Sequence, residues 1–307
     1  MRYFRIIFLA IIFLATVSTI ILGGLYLYRN VEKKNITDAD RKDVAGSFVK
    51  LKSGVTHYQL AGPDSGQVVV LLHGISVPYY IWDGTFEYLV MHGYRVLRYD
   101  DLGRGFSDRP GGVYNQSRYF GQLTELVTAL HLKTPFNIAG VSFGGRLAAN
   151  FATAYPALVK KVILVDPGFA NMQPDKPEII TRYYETIHPN ERALSQLSDF
   201  KYPERHPDWV SRYRVQMQYK GFAHALISTM FNYSCNGKQT YARLNSTHKP
   251  VLLIWGREDQ TSPFNYSDSI RSVLHAQFFA VDDAAHLPHL EQPAKVNERI
   301  LEFLRGN

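Results

Sequence analysis

A serine flanked by glycines two residues away on each side, Gly140-Val141-Ser142-Phe143-Gly144, separates two different patterns. Before it runs an apolar stretch (Pro135, Phe136, Ile138, Ala139); after it come small residues at helical spacing (Leu147, Ala148, Ala149, Phe151, Ala152). A Gly-x-Ser-x-Gly at a strand-to-helix junction is the setting in which a serine hydroxyl is raised on a sharp turn as a nucleophile. The turn leaves no room for side chains two residues before and two after the serine, and Gly145 is expected to add slack. A serine attacks a carbonyl only when a base removes its proton. The usual base is a histidine whose far nitrogen is held by a carboxylate.

The chain has 11 histidines, so the base must be chosen by position. His286 lies in residues 282–293, after the last expected strand and before the last helix, on a loop able to reach over the carboxyl edge of a sheet toward Ser142. His289 is expected to start that helix and stay exposed. His73, beside Gly74, is expected to shape a loop. For the acid, Asp259 follows the apolar run 251–255 next to Gly256, and its neighbour Glu258 should point elsewhere. Asp166, after the run 162–165, is a second candidate. The order Ser142, Asp259, His286 is the one a wound sheet of this kind imposes. Two amides should receive the developing oxyanion: that of Phe143, at a helix N-terminus, and that of Ile75, on the loop after His73-Gly74. Losing one such donor costs about 3 kcal/mol in the barrier.

These residues need a scaffold, and the hydropathy pattern supplies one. Residues 46–51 and 55–60 read as a hairpin across Lys52-Ser53-Gly54. Residues 68–72, 94–99, 136–139, 162–165, 251–255 and 276–281 are apolar runs of the kind found in strands covered on both faces. Helices are expected over 119–130 and 293–304. Such alternation predicts an α/β fold, a mostly parallel sheet with helices on both faces. The stretch between Asp166 and Val251 is too long for a simple connection and reads as an inserted helical cap over 168–248. Its large aromatics (Tyr183, Tyr184, Trp209, Tyr213, Phe222) are either core of that cap or lining of an apolar pocket. The core would then comprise 46–167 and 249–307, with 31–45 as a polar, solvated tether.

Residues 6–28 carry no charge, long enough as a helix to cross roughly 30 Å of hydrocarbon. Tyr3, Tyr26 and Tyr28 sit near the ends, where amphipathic rings favour the interface. A cleaved signal segment, with Arg2 and Arg5 as its basic start, is the alternative; it calls for a shorter apolar core and a small-residue cleavage site. Residues 1–30 are therefore read as an uncleaved membrane anchor. Arg2 and Arg5 before the run balance Arg29, Lys33 and Lys34 after it, so charge alone does not orient it. Five Asn-x-Ser/Thr sites (Asn35, Asn115, Asn232, Asn245, Asn265) favour a non-cytoplasmic catalytic domain, or a secreted or periplasmic one if the segment is cleaved. The single cysteine, Cys235, excludes an internal disulfide and is neutral on compartment. A net charge of +7, without dense basic runs, fits mild attraction to anionic lipid and argues against a nucleic-acid partner. Nothing in the chain indicates an oligomeric state.

Taken together, His73-Gly74, the segment Asp100-Asp101-Leu102-Gly103-Arg104-Gly105-Phe106-Ser107, Gly140 to Gly145, Gly256-Arg257-Glu258-Asp259, and His286 with Glu291-Gln292-Pro293 resemble the α/β-hydrolase superfamily over residues 46–305. The resemblance implies an eight-stranded sheet, Ser142 as nucleophile, Asp259 as acid, His286 as base, and Ile75 and Phe143 as oxyanion donors. It implies a structural role for residues 100–107. The chain looks most like lid-bearing lipases and esterases, including membrane-anchored monoacylglycerol lipase-like enzymes. Ala285 departs from the glycine usual before the histidine and stiffens that loop slightly. An aspartate at position 142 would mark a dehalogenase; serine disfavours that branch. The expectation is a serine hydrolase acting on small-molecule, lipid-like carboxylic esters, with no metal or organic cofactor. A carbon–carbon hydrolase of ring-cleavage products uses the same triad and is the runner-up. A non-enzymatic binding protein on this fold, which would usually lack a triad member, is third.

Overall fold

The computed structural model describes residues 1–233 and 236–306. Cys235, and with it the Asn232 sequon through Ser234, lies outside the described residues. The chain opens with helix α1 (Arg2–Arg29) and a single turn, α2 (Asp38–Arg41). It then alternates: β1 (Ser47–Leu51), β2 (Gly54–Ala61), β3 (Val68–Leu72), α3 (Thr85–Met91), β4 (Arg95–Tyr99), α4 (Gln116–Ala129), β5 (Phe136–Val141), α5 (Phe143–Ala154) and β6 (Val159–Val165). A helical insertion follows: α6 (Glu178–Ile187), α7 (Pro189–Leu194), α8 (Trp209–Met217), α9 (Phe222–Asn232) and α10 (Gly237–Asn245). The chain closes with β7 (Val251–Gly256), α11 (Asn265–Arg271), β8 (Gln277–Val281), α12 (Pro288–Glu291) and α13 (Pro293–Arg305).

The sheet has eight strands in the order β1-β2-β4-β3-β5-β6-β7-β8. β1 and β2 form the expected hairpin and β2 runs antiparallel to β4, while every pairing from β4–β3 to β7–β8 is parallel. All five residues of β3 are buried, as its unbroken Val/Leu run requires when both faces are covered. The two-residue period of a strand divides the core. Val70, Leu72, Ile138, Leu164 and Leu253 pack on one face with α4 and α5. Val69, Leu71, Ala139, Ile163 and Leu252 pack on the other with α3 and α13. α4 begins at Gln116, earlier than its apolar spacing predicts, because the Asn115 side chain caps it by accepting from the Arg118 amide at 3.2 Å.

Residues 31–45 are not a solvated tether. Glu32 accepts the amides of Gly221 (2.7 Å) and Ala223 (2.8 Å), and so satisfies donors left unpaired at the start of α9. The Lys34 amide donates to Gln218, and the Lys220 amide donates back to Lys34. Arg41 is buried and pairs with Asp108 at 2.5 Å. Three of the charges that made this stretch look solvated, Glu32, Asp40 and Arg41, strap it to the body and the cap, while Lys33, Lys42 and Asp43 stay exposed.

Candidate active site

The turn between β5 and α5 is built by close approach. A Cβ on Gly140 would lie 2.1 Å from the Gly144 carbonyl oxygen, and one on Gly144 would lie 2.4 Å from the carbonyl oxygens of both Leu72 and His73. Gly145 serves contact rather than slack, since a Cβ there would meet Pro167 at 2.8 Å. Between them Ser142 is held at φ 55°, ψ -120°, a conformation costly for a residue with a side chain. Four backbone hydrogen bonds hold it there. Its amide donates to Val165 (2.9 Å), and its carbonyl accepts from Gly145 (3.0 Å), Arg146 (3.3 Å) and Gly168 (2.9 Å).

The Ser142 side chain faces a cavity of about 230 Å³. His286 lines the same cavity from the loop after β8. Its Nδ1 donates to Asp259 Oδ2 at 2.7 Å, with both side chains buried. The other oxygen, Asp259 Oδ1, accepts the amides of Thr261 and Ser262, each at 2.8 Å. The His286 amide donates to the Asp199 carbonyl at 3.0 Å, tying this loop to the cap. Burial acts against protonation of His286, but the charge and hydrogen bond of Asp259, helped by Asp199, prevail and raise its pKa above the ordinary value. Among the described residues no hydrogen bond joins His286 Nε2 to Ser142 Oγ; this contact is often loose until substrate arrives.

Asp166, the alternative acid, does not hold the ring. Its Oδ1 accepts the Gly256 amide at 2.9 Å. Burial, then the neighbouring charge of Asp259, drives its pKa far above the carboxylate range, so Asp166 is held neutral. Asp166, Asp259 and His286 bring ligand-type atoms within 4.8 Å of one another. The Asp259 oxygens are already engaged by His286 and two amides, so the cluster reads as a carboxylate–imidazole pair with a protonated neighbour.

The amides of Phe143 and Ile75 have no acceptor among the described residues. Phe143 opens α5, where the first amides lack intrahelical partners. The Ile75 loop is fixed from several sides. His73 Nε2 accepts the Asp101 amide at 2.9 Å, which leaves Nδ1 as the donor to Gly74 at 2.6 Å. Arg104 Nε donates to the Ile75 carbonyl at 2.6 Å.

A match to the alpha/beta hydrolase family spans residues 69–299, three quarters of the chain and every site residue just described. The chain belongs to the alpha/beta hydrolase family. It is 28% identical over 287 residues to the AB hydrolase superfamily protein YfhM of Bacillus subtilis, covering 84% of this chain and 97% of that one. It is 27% identical to a 2-hydroxy-6-oxononadienedioate/2-hydroxy-6-oxononatrienedioate hydrolase of Cupriavidus pinatubonensis, covering 85% and 95%. A thermophilic esterase from Thermogutta terrifontis superposes with a TM-score of 0.71 at 23% identity over 85% of this chain and 98% of its own, a likeness of fold.

One sequence expectation changes inside this hydrolase, and one alternative left open by the sequence is decided. His289 is fully buried, not exposed: Nε2 donates to the Ile81 carbonyl at 2.8 Å, the ring packs on Trp82, and burial pushes its pKa down to about 4. It secures the floor of the cavity through Ile81. The cap aromatics do not line the cavity. Trp209, Tyr213 and Phe222 are core, whereas the wall facing Ser142 carries Arg192, Gln196, Ser198 and Asp199 beside Ile81 and Leu287.

Sequence reasoning missed two glutamines of the cap. Gln196 accepts from Ser76 Oγ at 2.9 Å. Gln216 donates to the Ser76 carbonyl (2.8 Å) and accepts the Gly105 amide (2.9 Å). Both brace the loop that carries Ile75. A glutamine on a cap turn or helix, as Gln196 and Gln216 are, carries no local signature of such a role. The loop over residues 100–107 is structural, as expected: Asp100 accepts from the amides of Tyr79 and Phe106 and from His57.

Proposed function

We propose that this hydrolase is a serine esterase. The observation that carries the reading is the strained Ser142 opening onto the cavity shared with His286, whose far nitrogen is bound by Asp259. His286 Nε2 takes the proton of Ser142 Oγ as the oxygen bonds to the substrate carbonyl carbon. The oxyanion rests on the amides of Phe143 and Ile75. The C–O bond to the alcohol breaks, the alcohol leaves with the proton held by His286, and an acyl-serine remains. Water, deprotonated by His286, then releases the acid and restores the serine.

We read α1 as a membrane anchor. It has 28 residues, a mean hydropathy of 2.7 over its most apolar window, and no buried residue. A site tethered at a bilayer meets amphiphilic molecules, so a lipid-like ester is the substrate class assigned here, with the catalytic domain on the non-cytoplasmic side. The test is Ser142→Ala. It is expected to abolish both ester turnover and labelling by a fluorophosphonate probe; undiminished labelling refutes the nucleophile assignment.

A carbon–carbon hydrolase is the second reading. It is favoured by the likeness to the Cupriavidus dienedioate hydrolase and by the polar wall of Arg192 and Gln196. p-Nitrophenyl butyrate and a ring-fission dienoate separate the two, since efficient turnover of only the dienoate reverses the order.

A further inference from the structure

Helix α6 of the cap is turned inside out. In a soluble protein the apolar stripe of a helix faces the core and the charged face meets water. Here Arg182 reaches inward to His224 at 3.4 Å, Glu185 is clamped by both Arg192 Nε and Nη2, and Thr186 is buried. Ile179, Ile180 and Tyr184 point outward with 66%, 50% and 46% of their surface exposed. Leu194, one helix further on, adds another exposed apolar side chain.

The position of α6 along α1 says what covers this face. Tyr183 donates from its hydroxyl to the Leu22 carbonyl at 2.8 Å, and its ring stacks on Tyr26 at 6.1 Å. The charge-free run of α1 continues to Tyr28. Leu22 lies six residues short of that end, roughly 9 Å along the helix axis. If residues 6–28 occupy hydrocarbon, a helix in contact with Leu22 sits below the bilayer surface. Interfacial helices bury their apolar faces by about 5–10 Å, a match to this depth. The strap over residues 31–45 fixes the placement, since Glu32 and Lys34 lock the chain leaving α1 to the α8–α9 turn. Lys176, with its ammonium 5.7 Å from the Tyr184 ring, flanks the apolar face where lipid phosphates lie.

We propose that α6 is an interfacial helix, seating Ile179, Ile180 and Tyr184 in the headgroup–acyl boundary of the phospholipid leaflet from which α1 emerges. The cap, rather than the sheet, then faces lipid. α7, which directly follows α6, carries Arg192 on the cavity wall, so the surface touching lipid adjoins the roof over Ser142. The proposal rests on the anchor reading of α1 and deepens the assignment of a lipid-like substrate.

The test places a nitroxide at single cysteines in the full-length Cys235→Ser protein in phosphatidylcholine vesicles. Oxygen and nickel-chelate accessibility then report depth. Ile180→Cys and, independently, Ile179→Cys are expected to show the oxygen-rich, chelate-poor signature of Ile12→Cys within α1. Thr128→Cys, at the far end of α4, should remain aqueous. Aqueous behaviour at 179 and 180 overturns the proposal, and an aqueous Ile12 overturns it together with the anchor. A functional arm uses the double variant Ile179→Ser/Ile180→Ser. It is expected to lose turnover of a vesicle-embedded ester several-fold while hydrolysing soluble p-nitrophenyl butyrate normally; equal loss on both counts against the docking role. Absence of ester turnover in the unaltered protein overturns the esterase reading alone, because the accessibility signature decides the placement of α6 by itself.

Discussion

Asp259 divides its two oxygens between structure and chemistry: Oδ1 is fixed by the amides of Thr261 and Ser262, and Oδ2 holds Nδ1 of His286 at 2.7 Å. The carboxylate is immobilised by backbone before it touches the imidazole. The ring of His286, which lines the cavity, is thereby oriented, and in the proposed mechanism the positive charge it gains is met without rearrangement.

Replacing that carboxylate should therefore cost far more than replacing its neighbour. Asp259→Asn leaves the shape intact but presents an amide to Nδ1, which favours the wrong tautomer; kcat should fall roughly 10,000-fold. Asp166→Asn replaces a neutral carboxyl by a neutral amide of similar shape and should fall much less. Steady-state kinetics of both variants on one ester check this. Full activity in Asp259→Asn with collapse in Asp166→Asn would exchange the two roles.

The pH profile follows from the same pair. As the proposed base, His286 must be neutral to accept the Ser142 proton, and Asp259 raises its pKa. The acid limb of kcat/KM should accordingly lie above the ordinary imidazole value of about 6.5. The stability effect has the opposite sense. A pKa raised by folding adds stability that is fully present below the unfolded value and is lost as pH rises through the folded one. Denaturant titrations on either side of neutrality should show this contribution declining toward alkaline pH, and Asp259→Asn should flatten the trend.

Gly144 and Gly74 both adjoin Ser142, yet they should respond differently to alanine. At Gly144 the methyl meets two carbonyl oxygens at 2.4 Å; at Gly74 the nearest atom is Ser142 Cβ at 3.7 Å, an ordinary contact. Gly144→Ala should destabilise the fold by about 3 kcal/mol, because backbone must move to admit it, while Gly74→Ala should leave stability nearly unchanged. Thermal unfolding of the two variants distinguishes them, and an unaffected Gly144→Ala would contradict the packing of the turn.

Gln216 tests whether the cap braces the oxyanion loop. Gln216→Ala removes the donor to the Ser76 carbonyl and the acceptor of the Gly105 amide, a loss of about 1–3 kcal/mol in stability. As a positioning residue it should lower kcat more than it alters KM, since the Ile75 amide is proposed to act when the oxyanion forms. A proportional rise in KM with kcat unchanged would place Gln216 in substrate binding instead.

The Ser142 turn was legible in the chain because its cause is local. Only glycine fits where Gly140 and Gly144 meet backbone, and a serine between them at a strand-to-helix boundary has few other uses. The strands were legible for a related reason: two-sided burial demands unbroken apolar runs, and β3 and β7 display them. Partnerships across long distances were not legible. Asp166 and Asp259 each lie just past a buried strand; chain position favours Asp259, but only packing shows that the imidazole reaches it while Asp166 is held by the Gly256 amide. His289, Glu32 and Arg41 are polar residues whose sequence neighbourhoods suggest solvent; carbonyls, amides and a carboxylate far away in the chain draw them inward. The same holds for Gln196 and Gln216, whose bracing of the Ile75 loop exists only once the cap closes over the sheet. Local sterics are written in adjacent residues, whereas the pairing of buried polar groups depends on which surfaces meet.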